Sequence, residues 1–321
     1  MSAGRALITG IGGQDGSYLA EHLLNAGYEV VGLVRPPADR EFPNLASIPG
    51  ALPLIEGDLL DAVSLRTAIE EARPDEIYHL AAPTFVPASW EDATATIAAI
   101  AGATATLLGA VRSFAPEARV VVATSSEIFG DAGESPQNER TPKRPRSPYG
   151  VAKLAAHGLV GAMRAHHGLH LSSAITYNHE SPRRPIRFLP RKVTAGAVAI
   201  ASGELDELVL GDLNAVRDWS DARDIVRGLR LMAGADEPGD YVLASGAGRT
   251  VAEFVARAFE CAGVESEGRV RVDPALVRPP EPVALVGDAT LARERLGWVP
   301  EISFEQTIAD MVAADRERVT A

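Results

Sequence analysis

Ala6-Leu7-Ile8-Thr9-Gly10-Ile11-Gly12-Gly13-Gln14-Asp15-Gly16 is an apolar run that breaks into glycines and continues as a helix. The run is short and free of charge, as expected of a parallel strand buried on both faces. Gly10, Gly13 and Gly16 follow with the spacing G-x-x-G-x-x-G. From Gln14 to Asn25 the apolar residues Leu19, Leu23 and Leu24 recur at a helical spacing, and Gly27 ends the segment. Such a strand, turn and helix let backbone approach a pyrophosphate and aim the helix N-terminal N–H groups at it. A tight glycine turn that binds nothing has the same composition. Its place between a strand and a helix favours binding.

The alternation continues outward. Glu29 to Val34 reads as a second strand, and Leu54 to Glu56, entered after Pro53, as a third followed by a helix from Asp61 to Glu71. Asp75 to Leu80 is a fourth strand, Trp90 to Phe114 an alanine-rich helix, Arg119 to Thr124 a fifth strand and Leu171 to Ile175 a sixth. This order predicts an α/β fold, a doubly wound parallel (Rossmann) sheet. Asn178 to Pro190 is rich in Pro and Arg and reads as loop. A smaller mixed α/β C-terminal lobe is expected. The dinucleotide domain takes residues 1–177, with 212–236 returning to it, and the lobe takes 178–211 and 237–321.

Bulk composition narrows the partners. The chain has 321 residues and a net charge of −12, so it offers no basic stripe for nucleic acid. A few local arginines can still hold an anionic small molecule. Cys261 is the single cysteine, which excludes a disulfide within the chain and disfavours a structural zinc site. His166, His167 and His179 show no metal-ligand spacing with other ligands and read as structural, so no metal is expected. No signal peptide and no membrane-length segment are read, and a cytoplasmic, reducing compartment is expected.

Ser147-Pro148-Tyr149-Gly150-Val151-Ala152-Lys153 places a phenol and an ammonium four apart, one turn from each other on a helix. The ammonium is expected to lower the tyrosine pKa toward neutrality, making a proton-transfer pair. Ser125 and Glu127 lie two apart after the fifth strand. If the extended geometry persists through Glu127, both face the cofactor crevice at the strand ends. Ser125 can then bond a substrate hydroxyl beside Tyr149, and Glu127 adds a base. A simple alcohol dehydrogenase has no need of that carboxylate, whereas an enzyme removing a carbon-bound proton does. Arg35, at the end of the second strand, suits a 2′-phosphate and points to NADP, with NAD left open. Asp58 either accepts from the adenine amine or caps the next helix.

These residues resemble the extended short-chain dehydrogenase/reductases that act on nucleotide sugars. Gln137-Asn138-Glu139, Arg146 to Leu154, Tyr177-Asn178-His179-Glu180-Ser181-Pro182-Arg183-Arg184, Arg191-Lys192, Arg217-Asp218-Trp219 and Arg278-Pro279 are similar to the GDP-mannose 4,6-dehydratase family. The resemblance implies a nucleotide-sugar 4,6-dehydratase acting by internal hydride transfer. A 4-keto reductase or epimerase is the alternative on the same scaffold. Ser125, Glu127, Tyr149 and Lys153 would be catalytic. Gly10, Gly13, Gln14, Asp15, Gly16, Arg35, Asp58, Leu59, Leu80 and Ala81, with Tyr149 and Lys153, would hold the cofactor. Thr84, Asn178, Lys192, Arg217, Arg278 and Glu281 would hold a nucleotide-diphosphate sugar. Arg183 and Arg184 read better as surface ion pairs. A homodimer through the helices bearing Ala105–Phe114 and Tyr149–Ala165 is also implied. The chain departs from the family at Pro83-Thr84-Phe85, where a less polar wall beside the hexose is expected. It departs again after Arg35, where a longer basic loop is replaced by prolines, and at Ser125, where close relatives carry threonine.

Overall fold

The computed structural model describes residues 3–37, 41–48, 52–277 and 283–320. Twelve strands are found among them: β1 (Arg5–Thr9), β2 (Glu29–Val34), β3 (Leu54–Glu56), β4 (Glu76–His79), β5 (Arg119–Ala123), β6 (Leu171–Thr176), β7 (Asn178–Glu180), β8 (Leu208–Leu210), β9 (Val216–Asp221), β10 (Asp240–Leu243), β11 (Gly248–Thr250) and β12 (Val270–Val272). The helices are α1 (Gln14–Asn25), α2 (Ala62–Ala72), α3 (Ala93–Ile97), α4 (Ala103–Phe114), α5 (Pro148–His167), α6 (Leu189–Ala201), α7 (Ala222–Gly234), α8 (Val251–Ala262), α9 (Thr290–Leu296) and α10 (Phe304–Thr320).

Seven strands form one sheet in the order β10-β6-β5-β4-β1-β2-β3, and every neighbouring pair is parallel. Parallel strands need covering on both faces, which explains their nearly unbroken apolar sequences. Leu19 and Leu23 of α1 and Ile225 and Leu229 of α7 pack on one face. Leu65 and Ile69 of α2, Leu107 and Leu108 of α4 and Val160 of α5 pack on the other. The strand order reverses between β1 and β4, and a crevice opens at their carboxyl ends, where this doubly wound (Rossmann) arrangement takes its ligands.

A second core surrounds Trp219 of β9. It is built from Val193 and Ala197 of α6, Phe254 and Phe259 of α8, and Ile308 and Met311 of α10. β9 lies between β7 and β11 in a three-stranded sheet, and β8 pairs with β12.

Several expected elements fall differently. The helix expected over Trp90–Phe114 is a 3₁₀ turn at Val86–Trp90, then α3, a π-turn at Ala98–Gly102 and α4. Contrary to the expected lack of a membrane-length segment, Ala93–Phe114 runs 22 residues and is apolar enough to cross a membrane by length and composition; half of its most apolar stretch is buried within the protein. Asn178–Pro190 is not all loop, because β7 pairs in parallel with β9 and Pro190 sits in the first turn of α6, where a missing N–H costs nothing. Asp240–Leu243, inside the stretch expected in the lobe, is the edge strand of the main sheet, and Val216–Asp221, inside the returning stretch, belongs to the small sheet.

Candidate active site

The glycine turn is tight enough to exclude side chains. Gly10 adopts φ +76°, and a Cβ on it would stand 2.8 Å from the Ala81 nitrogen. A Cβ on Gly16 would lie 2.3 Å from the Gly10 carbonyl oxygen. The N-cap of α1 is Gly13, and no side chain caps the helix. The first-turn N–H groups therefore face the crevice without a side-chain acceptor of their own, which fits a pyrophosphate. Across the crevice the amides of Leu80 and Ala81 each donate to Thr9 Oγ1 at 3.2 Å, pinning the β4 loop to the end of β1. The arrangement fits a dinucleotide lying over the ends of β1 and β4.

The outlying cofactor positions differ in character. Arg35 is exposed one residue beyond β2. Asp58 is not the cap of α2: its Oδ1 accepts from the Leu60 amide, and Asp61 caps the helix by accepting from Val63. Leu59, beside it, is half-buried. Gln14 and Asp15 are engaged within the protein. Gln14 Nε2 donates to the His179 carbonyl, and Gln14 Oε1 accepts from Ser181 Oγ. Asp15 Oδ2 lies 2.9 Å from His179 Nε2. Burial opposes charge on both partners. Their mutual attraction and hydrogen bond prevail, holding the Asp15 carboxyl at about 2 and raising His179.

The chemical groups hang from β5 and α5. Ser147 caps α5 by accepting from the Gly150 amide, and Pro148 occupies the first turn, so Tyr149 and Lys153 stand one helical turn apart. A Cβ on Gly150 would come within 2.6 Å of the Glu127 carbonyl oxygen, so glycine lets α5 press against the end of β5. Lys153 Nζ donates to the Ala123 carbonyl at 2.7 Å and lies 5.8 Å from the Tyr149 ring centre. The extended geometry does not reach Glu127. It stops at Ser125, which caps a 3₁₀ turn over Ser126–Ile128, and Ser125 Oγ accepts from the Glu127 amide at 3.2 Å. That turn carries Glu127 directly after β5, against the start of α5, where Gly150 meets the Glu127 carbonyl.

The expected fall in the tyrosine pKa does not occur in this state. Tyr149 is 7% exposed. Burial raises its pKa well above the usual phenol range; the Ser125 hydrogen bond opposes this, and Glu127 adds to it. Lys153 spends its ammonium on the Ala123 carbonyl, and burial lowers it to about 8.

On the opposite wall, Thr84 is exposed beside Phe85, whose ring meets that of Phe188 edge-on at 5.7 Å. Asn178 begins β7 opposite Trp219. Lys192 is exposed on α6 and donates to the Val209 carbonyl at 2.7 Å, and Arg217 Nη1 donates to the Val216 carbonyl at 2.7 Å. Asp218, between Arg217 and Trp219, is a structural knot accepting from Ser245, Gly246 and Gly287. Arg278 and Glu281 lie outside the described residues.

Arg183 and Arg184 are ion pairs as expected, but neither lies at the surface: Arg183 bonds Glu21 and lies over Tyr18, and Arg184 pairs with Glu180 with its guanidinium 3.8 Å from the Phe188 ring centre. The available signal was the density of charge in Asn178 to Arg184, beside two prolines that made it read as loop.

Residues 7–311 match the family model for GDP-mannose 4,6 dehydratase. The chain is 40% identical to a GDP-mannose 4,6-dehydratase of Yersinia enterocolitica over 98% of this chain and 94% of that protein. It is 41% identical to one of Sinorhizobium fredii over 97% of this chain and 96% of that protein. Among solved structures, DesIV of Streptomyces venezuelae, a dTDP-glucose 4,6-dehydratase with NAD and TYD bound, superposes with a TM-score of 0.87 at 25% identity, covering 98% of each chain.

Proposed function

The chain belongs to the GDP-mannose 4,6-dehydratase family, and from that premise we propose GDP-mannose or a closely related sugar nucleotide as its substrate and NADP as its cofactor. The chain is a nucleotide-sugar 4,6-dehydratase that works with a nicotinamide cofactor. Arg35 supports the choice of NADP by its place after β2.

The glycine turn with Tyr149 and Lys153 would hold the nicotinamide cofactor, which would supply a hydride acceptor for C4 and a hydride donor for C6. Tyr149 takes the proton of the 4-hydroxyl, and Ser125 orients the 4-oxygen. The resulting 4-ketone acidifies C5–H. Glu127 removes that proton and passes it to the 6-hydroxyl, which leaves as water. With hydride supplied at C6, the proton held by Tyr149 goes to C5, giving the 4-keto-6-deoxy sugar. Lys153 keeps a positive charge beside Tyr149 and bonds the cofactor ribose. Lys192 and Arg217, with Arg278, carry the diphosphate, to which arginine forks are suited; Asn178 bonds the diphosphate or sugar, Thr84 lies near the hexose, and Glu281 takes the nucleotide ribose. We place the enzyme in the cytoplasm as a homodimer. The exposed Phe114 and Val151, on the adjoining helices α4 and α5, favour that dimer face.

The observation that supports this reading most is the turn after β5, which Ser125 caps, which bears Glu127 and against which the start of α5 with Tyr149 packs through Gly150; an elimination needs such a carboxylate and a simple reduction does not. A 4-keto reductase has no use for a base at C5. Incubation with GDP-mannose and catalytic NADP should produce a ketosugar that develops near-ultraviolet absorbance in alkali, with no net change in NADPH. Stoichiometric consumption of NADPH would instead identify a reductase.

A further inference from the structure

Ala81-Ala82-Pro83-Thr84-Phe85 leads from the end of β4 into the 3₁₀ turn at Val86–Trp90. Its two ends are fixed by different parts of the site. At one end Ala81 meets the glycine turn, since a Cβ on Gly10 would stand 2.8 Å from the Ala81 nitrogen. At the other, Val86 packs, as Ala82 does, against the cluster of Tyr149, Ile100, Ala152 and Ala156. The segment between them therefore borders the gap between the cofactor turn and the phenol.

Phe85 is half-buried there, and its carbonyl accepts from the Ala88 amide. Its ring meets that of Phe188, the residue before α6 on the substrate side, edge-on at 5.7 Å. Phe188 is fixed in turn. Its amide donates to the Pro185 carbonyl, its carbonyl accepts from the Lys192 amide, and the Arg184 guanidinium, paired with buried Glu180, lies 3.8 Å from its ring centre. Arg187 is exposed, with its guanidinium 5.7 Å from the Phe85 ring centre and 5.4 Å from that of Phe188. These ring faces are the partners found for this cation among the described residues. A guanidinium held by aromatic faces keeps the N–H donors along its edge for other acceptors.

We propose that Phe85, Phe188 and Arg187 form the wall that recognises the sugar of the nucleotide-sugar substrate: the rings receive a C–H face of the hexose, and Arg187 donates to hydroxyls at its rim. This deepens the proposed function and rests on it, because a wall beside Tyr149 faces the hexose only if Tyr149 acts at the sugar 4-oxygen. A hydroxyl turned onto the rings would lose its water and gain no partner, so the wall selects sugars by where their hydroxyls point.

The test compares the dissociation constants of GDP-mannose and of GDP, which lacks the sugar, by titration calorimetry. The enzyme is loaded with NADPH, which cannot accept hydride and so prevents turnover. Arg187→Gln and Phe85→Leu should each weaken GDP-mannose about ten-fold and leave GDP within about two-fold. The double variant should weaken GDP-mannose by less than the product of the two losses, because the guanidinium rests on the Phe85 ring. Equal weakening of both ligands would mean a contact to the diphosphate or a merely structural role, and would overturn the proposal. Unchanged binding of both would overturn it as well. Arg187 is exposed, so its variant decides the matter if Phe85→Leu does not fold. An unaltered enzyme that binds neither ligand would overturn the substrate reading and the wall with it, whereas normal binding by the unaltered enzyme without the selective loss in the variants overturns the wall alone.

Discussion

Ser125, Tyr149 and Lys153 hang from strand and helix ends held by caps and by close backbone contact, whereas Lys192 and Arg217 bond backbone carbonyls near the surface of the substrate side. Burial is the sharper difference. Tyr149 and Lys153 are 7% and 5% exposed, and their protonation is set by the protein interior. Lys192 is exposed and Arg217 partly so. The first region is built to fix a few atoms and move protons among them. The second is built to supply positive charge, on a chain whose net charge is −12.

That contrast breaks most visibly at the phenol. Tyr149→Phe should lower kcat by about 10²–10⁴-fold while the protein stays folded, since only a hydroxyl involved in proton transfer is lost. Steady-state kinetics with a melting curve checks both halves. Lys192→Ala or Arg217→Gln should instead raise KM by about ten-fold and change kcat little, because a charge-assisted bond to phosphate serves ground state and transition state alike. A large kcat loss from either would erase the distinction between the two regions.

The smallest expected effect joins the regions through the Asp15–His179 clasp. Asp15 is held at about 2, below its ordinary value, so its contribution to stability is lost as pH falls through that value. His179 is raised above its ordinary value, so its contribution is complete below the ordinary imidazole range and is lost as pH rises through the raised value. The melting temperature should therefore decline modestly on the alkaline side, and His179→Gln should flatten that decline.

Where sequence pattern reflects local rules, it located the elements closely. α1, β2 and β3 begin and end at the residues their apolar runs and glycines indicated. The π-turn at Ala98–Gly102 was hidden because alanine, threonine and glycine offer no periodic contrast to mark the wider turn. β7 was hidden for another reason: three residues become a strand only by pairing with β9, where Asn178 meets Trp219, far along the chain. The site divides the same way. The glycine turn and the Tyr149–Lys153 spacing are local and were legible. The direction of the Tyr149 shift depends on burial, and the place of Arg184 on the turn between β7 and α6, so neither could be read from spacing.

Elimination depends most on Glu127 as its base. Glu127→Gln should be loaded with NADP, given GDP-mannose, and its sugar products separated by mass spectrometry while nicotinamide absorbance is followed. The expected result is intact cofactor and substrate binding with no loss of water from the sugar. Normal formation of the 4-keto-6-deoxy product by this variant would contradict the account.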